Sequence, residues 1–240
     1  QQLYLETARY EPALPIIERR LHVLEQDHPE DKDGRIALLV AKARVLQEGL
    51  GNDAEATETL EQLLAEAPDN DDVALGLSRL YRKQGRLQDG LALLRDRWEG
   101  ASPAPSSPET TARYVELTRA LANVLDEEGH DPSGALTVIE TALVALPTEA
   151  RLLVKKVLYA RAVHEQTKLA EALEALGTPA ELLEAADLYR TELGQSARAL
   201  RLYSRVLADA KAQADDLGSA RHLAASLEGL VQLRVDDGDI

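Results

Sequence analysis

The chain has 240 residues, 45% of them hydrophobic but only 3% aromatic, with no Cys, no Phe, no Met and one Trp. Without Cys there are no disulfides, thiolate metal sites or cysteine nucleophiles, and no apolar run reaches the ~18 residues that a membrane-spanning helix needs. A net charge of −15 at pH 7 argues against nucleic acid as the main partner.

Ala and Leu far outnumber Val and Ile, which favours helix over strand. Start and stop signals divide the chain into about twelve short helices. Tyr10-Glu11-Pro12-Ala13 enters a helix marked by Ala13, Ile17 and Arg20, and His28-Pro29 closes it. Gly49-Leu50-Gly51 ends the next helix, and Asn52 with Glu55 opens another. The clearest pair spans 71–96. Val73, Leu77, Leu80 and Tyr81 line its first helix, Leu87, Leu91 and Leu94 its second, and Gly85 breaks between them. ASPAPSSP at 101–108 reads as a Pro/Ser-rich inserted loop. Ser106 then caps a helix with Glu109 three residues on. Gly129 stops that helix, Asp131-Pro132 opens the next, and Pro147 ends it. A degenerate helix falls near 164–176, closed by Gly177. Thr178-Pro179-Ala180-Glu181 is a capping box with Pro at the first helical position. Gly194 ends that helix, and Ala199, Tyr203 and Val206 mark another. The last helix is expected to expose Leu227, Leu230 and Leu233.

Several of these helices share one pattern. Ala56, Leu60, Leu63 and Pro68 are separated by four, three and five residues, and so are Ala135, Ile139, Ala142 and Pro147. The four-then-three spacing recurs at Ala13/Ile17/Arg20, Gly90/Leu94/Arg97 and Ala199/Tyr203/Val206. A small residue opens each set, as a close crossing of two helices requires. Recurrence at a fixed offset is the signature of a repeat array.

The chain resembles the tetratricopeptide repeat family, whose unit is a helix–turn–helix. Leu77-Ser78…Tyr81…Gly85…Gly90…Leu94 carries the family pattern most fully, followed by Leu121-Ala122…Leu125…Gly129…Ala135…Ile139…Ala142…Pro147 and by Ala185-Ala186…Tyr189…Gly194…Ala199…Tyr203. Tyr10-Glu11-Pro12-Ala13 with His28-Pro29 is similar to the longer units of kinesin light chain. The resemblance implies an all-α fold over 1–240, a single right-handed α-solenoid of stacked antiparallel helix pairs. The absence of Met, and Ile240 falling where a second helix begins, lead us to expect a piece of a longer array.

Chemistry-bearing constellations are sparse. None of the five His lies three or four residues from another, so no helical metal site is formed by them. Asp69-Asn70-Asp71-Asp72 lacks the Gly and Glu of a calcium loop, with Ala74 and Leu80 in their places, and serves as a helix cap. No phosphate loop or nucleophile elbow is present, so the expectation is a non-enzyme without cofactor.

What remains is cationic. Arg79, Arg82, Lys83 and Arg86 cluster at the end of a first helix, where cations also complement the helix dipole. Family resemblance implies that first helices line a concave groove for peptides. Arg119 and Asn123, one turn apart, and Arg151 and Lys155 in the next unit resemble a carboxylate clamp, without the intervening Asn-bearing unit of the family pattern. Arg79, Arg82, Lys83, Arg119, Asn123, Arg151 and Lys155 are therefore the candidate groove residues. The expected function is a protein-interaction scaffold or adaptor for a protein or peptide partner, an acidic or C-terminal segment. The alternatives are a regulatory or sensor segment of a larger signalling or enzyme chain, and a self-assembling solenoid that associates through its ends. With no secretory signal visible, a cytoplasmic, bacterial origin is expected.

Overall fold

A computed structural model describes residues 12–101, 107–212 and 217–236. Among these every regular element is helical. The helices are α1 (Ala13–Asp27), α2 (Lys32–Arg44), α3 (Asp53–Glu66), α4 (Asp71–Lys83), α5 (Leu87–Gly100), α6 (Pro108–Glu127), α7 (Pro132–Ala145), α8 (Ala150–Ala162), α9 (Gln166–Leu176), α10 (Pro179–Thr191), α11 (Ser196–Ala212) and α12 (Leu217–Asp236). The fold is an α-solenoid of consecutive helix pairs. The chain divides into two compact units at Ala101/Ser102.

In the first unit each helix from α1 to α5 packs on the next. Its core gathers Leu46 with Ala56, Leu60 and Leu63 of α3 and Val73, Leu77 and Leu80 of α4. A second cluster joins Ala13, Ile17 and Leu21 of α1 to Val45. Leu21, not Arg20, is the buried residue that completes the α1 set, and Arg20 is exposed. At its end α2 widens into a π-helical turn, Val45–Gly49, which places Val45 and Leu46 in the two clusters.

In the second unit α6 to α12 pack in sequence, and the first helices α6 and α8 also touch, as do α10 and α12. The core is filled by Leu117, Leu121, Ile139 and three buried tyrosines, Tyr159, Tyr189 and Tyr203. Tyr203 packs so closely on α12 that Gly229 leaves no room for a methyl group against its ring.

The small residues sit at the helix crossings. Ala13, Ala56, Ala135 and Ala199 are wholly buried. At Gly90 a methyl group would meet the Ser78 carbonyl at 3.0 Å, and the Ser78 hydroxyl donates to the Gly90 carbonyl at 3.0 Å. In α9 the equivalent position is Leu169, 34 residues after Ala135 and 30 before Ala199. That substitution is why the repeat is faint there.

Caps follow the sequence closely. Asn52, Asn70 and Asp131 accept from the backbone N–H groups of Glu55, Val73 and Gly134. Thr178 and Glu181 close the capping box at α10. Two readings change. The cap of α6 is Ser107, paired reciprocally with Thr110, rather than Ser106 with Glu109. The left-handed residue after α6 is His130 (φ 50°) rather than Gly129. The 101–108 loop lies largely outside the described residues, and α6 begins at Pro108 within it. In α12, Leu233 is buried, while Val231 and Val235 stand exposed with Leu227.

Candidate functional site

The second unit brings four of the seven candidates together. Arg119 and Asn123 are one turn apart on α6, and Arg151 and Lys155 one turn apart on α8. The Lys155 ammonium donates to Asn123 Oδ1 at 2.7 Å, and the buried Tyr159 hydroxyl donates to the same oxygen at 3.1 Å. Lys155 also lies 5.6 Å from the Tyr159 ring centroid.

Carboxylates on the same and on neighbouring helices hold the arginines. Glu116 bridges Arg119 at 3.0 Å and Arg151 at 3.7 Å, and Glu149 holds Arg151 at 2.8 Å. The Arg151 hydrogen bond keeps the Glu149 carboxyl below its ordinary value, against the opposing effect of burial. Arg161 pairs with Glu184 of α10 at 2.5 Å. Lys155 differs: among the described residues its partners are an amide oxygen and an aromatic ring, so no contacting carboxylate neutralises its charge.

Between these charges lie two aliphatic side chains. Val154 is 55% exposed and Leu158 50%. Arg151, Val154, Lys155, Leu158 and Arg161 follow three- and four-residue steps, so they share one outward face of α8. The face thus combines apolar area with a central ammonium that no carboxylate contacts among the described residues. Hydrogen-bond donors converging beside apolar surface suit an extended segment bearing a carboxylate.

The tetratricopeptide repeat family model matches residues 49–100, the stretch that holds α3, α4 and α5. These residues carry the tetratricopeptide repeat. A tetratricopeptide repeat protein from Parabacteroides merdae ATCC 43184 has the same fold. It is 13% identical, covers 93% of this chain with 94% of its own, and gives a TM-score of 0.50. The chain is also similar to a Podosopora anserina putative kinesin light chain with nearly identical TPR-like repeats, at 19% identity, 85% and 92% coverage and a TM-score of 0.45. No curated protein sequence matches the chain.

By the recurring small/large spacing, α4, α6, α8, α10 and α12 stand in the first-helix register of each pair and α5, α7, α9 and α11 in the second. The remaining candidates, Arg79, Arg82 and Lys83, sit on the first helix α4 of the other unit, and each does something different. Lys83 bridges to Asp53 of α3 at 2.8 Å. Arg82 donates to the Ser78 carbonyl at 3.3 Å and packs its stem toward Gly90. Arg79 is exposed. The neighbouring Arg86 stacks on Tyr81 at 4.1 Å and pairs with Asp89 at 2.7 Å. Most of this cluster is spent joining helices.

Sequence reasoning missed Val154 and Leu158. Their signal was weak, because α8 is apolar on several sides: Leu152 and Leu153 are buried next to exposed Val154. Among the described residues no three His, Asp or Glu side chains converge as metal ligands, and no helix is long and apolar enough to cross a membrane.

Proposed function

We propose that this chain is a non-catalytic interaction scaffold, and that the α6–α8 face of the second unit takes an extended segment of a protein partner bearing a carboxylate. The carboxylate is an acidic side chain or a chain end. The observation that carries this reading is the contact between Asn123 and Lys155 across two first helices, beside the exposed Val154 and Leu158. An ammonium already fixed by an amide and a ring loses little freedom when a carboxylate arrives. The aliphatic pair offers area to a neighbouring side chain of the ligand. On a chain of net charge −15, a focused cationic point is what reverses the general repulsion of acidic ligands.

The probe is an array of short peptides combining acidic and aliphatic residues, each presented with a free and with an amidated C-terminus. Capture by the wild-type chain is expected to fall with salt, as the Debye length drops from ~10 Å at 0.1 M to ~3 Å at 1 M. Lys155→Glu is expected to lower affinity about tenfold to a hundredfold, the range for losing a charge-assisted hydrogen bond of ~1.5–3 kcal/mol. Val154→Ser with Leu158→Ser weakens it further, while Arg79→Glu leaves it unaltered. If Arg79→Glu abolishes capture and Lys155→Glu does not, the α4 cluster is the working surface and this reading fails.

A further inference from the structure

The α6–α8 face already contains a carboxylate where that of a ligand would sit. Glu116 of α6 lies between two guanidiniums, 3.0 Å from Arg119 on its own helix and 3.7 Å from Arg151 on α8. Among the described residues these guanidiniums are its polar partners, and its side chain is 56% exposed. Glu149, the other carboxylate on Arg151, is tied down differently. It accepts from the Arg151 backbone N–H at 3.3 Å as the cap of α8 and is only 22% exposed. Glu149 is therefore a fixed part of the helix end. Glu116 is bound to no backbone group and leaves the arginines by rotating its own side chain into water.

The Glu116 site and the Lys155 site are one step apart. Lys155 and Asn123 meet at 2.7 Å across the same two helices, one turn beyond Arg151 and Arg119. One helical turn is ~5.4 Å, and residues two apart in an extended segment point the same way, ~6.6 Å from each other. A segment that sets one carboxylate on Lys155 thus carries the side chain two positions away over Arg119 and Arg151. That place is taken by Glu116.

Resting on the α6–α8 reading, we propose that Glu116 is a specificity-determining residue: an internal carboxylate that fills the arginine pair, so that the face selects segments bearing a single carboxylate. A second acidic side chain meets the charge of Glu116 and must displace it. Displacement exchanges one exposed ion pair for another and gains little. A residue that merely staples α6 to α8 has the opposite consequence, because its loss loosens the two helices and weakens capture.

The test measures the affinity of the 240-residue chain for two labelled peptides by fluorescence anisotropy. The peptides share length and aliphatic residues; one carries a single acidic group, the other a second acidic residue two positions away. The wild-type chain is expected to bind them with a ratio near one. Glu116→Gln, at an exposed position and checked for unchanged helical circular dichroism, is expected to favour the two-acid peptide by roughly threefold to tenfold, the scale of an exposed ion pair made with two guanidiniums. Adding Arg119→Gln to Glu116→Gln is expected to return the ratio to near one, since the gain needs both changes to be read as one contact. A general change of surface charge would instead strengthen both peptides alike. Equal gains for the two peptides, a wild-type preference for two acids as large as that of the variant, or weaker capture by Glu116→Gln overturns the proposal. If Lys155→Glu weakens capture while Glu116→Gln leaves the ratio unchanged, the role of Glu116 alone is dismissed. If Lys155→Glu changes no affinity, or neither peptide is captured by wild type and Glu116→Gln, the α6–α8 reading falls and this proposal with it.

Discussion

Two histidines occupy backbone conformations that usually belong to glycine. His130 and His164 have φ of 50° and 59° in the turns after α6 and α8, where the corresponding turns after α4 and α10 use Gly85 and Gly194. A left-handed conformation costs a residue with a Cβ roughly 1–2 kcal/mol, whereas glycine loses ~0.5–1 kcal/mol through the freedom it has when unfolded. The difference favours glycine. Replacing His164 by Gly is therefore expected to stabilise the chain by about 0.5–1 kcal/mol, read as a higher melting temperature. An unchanged or lower melting temperature would mean that the imidazole holds the turn through contacts worth as much as the strain. Arg97 makes a related point about charge. It takes the third position of the small/large set in α5, where α3, α7 and α11 bury Leu63, Ala142 and Val206, and its side chain is only 11% exposed. Asp71 holds its guanidinium at 2.7 Å and the Pro68 carbonyl accepts from the same group, so a buried cation there is fully partnered rather than misplaced.

At the scale of helices, the crossing residue sets how near two helices approach. Ala135 is wholly buried on α7, between α6 and α8. Enlarging it to Leu forces either helix outward and is expected to cost about 1–3 kcal/mol, measured as a lower urea midpoint with unchanged helical circular dichroism. A midpoint that does not move would place the crossing elsewhere on α7. The same spacing of small and large residues made most of the fold readable, since each element states its own register: Ala56, Gly90, Ala135 and Ala199 all lie at crossings. Where one residue departs from it, as Leu169 does in α9, the element is still present but its register is lost to inspection. The candidate face was half legible for a similar reason. One-turn spacing placed Arg119 with Asn123 and Arg151 with Lys155, because intrahelical neighbours are fixed by the helix itself. Spacing within a helix does not say which residues meet across two helices. Hence Glu116 between Arg119 and Arg151, and Tyr159 beneath Asn123, emerged only from the packing.

Over the molecule as a whole, the rare aromatic residues are concentrated where they decide stability at high pH. Tyr159, Tyr189 and Tyr203 all lie in the second unit, and each hydroxyl is pushed up from 10.0 to about 12. Burial is the first cause in every case. Neighbouring carboxylates act in the same direction: Asp126 and Glu127 on Tyr159, Glu174 on Tyr189 and Asp187 on Tyr203. The folded chain thus holds these protons more tightly than the unfolded chain does. Below pH 10 both states are protonated and the stabilisation is complete. As pH rises from 10.0 towards 12 the unfolded state releases its protons first, so stability falls, and the contribution is gone above the folded value. Deprotonation of lysines over the same range makes the net charge of −15 more negative and adds repulsion. To separate the two effects, the three tyrosines are replaced together by Phe, which keeps the rings and removes the ionisation. The wild-type urea midpoint is expected to fall steeply over that window, with tyrosinate absorbance rising in step with unfolding. The triple variant is expected to show the shallower decline due to lysines alone. Equal slopes for the two proteins would exclude the buried hydroxyls as the cause and leave charge repulsion as the whole of the alkaline loss.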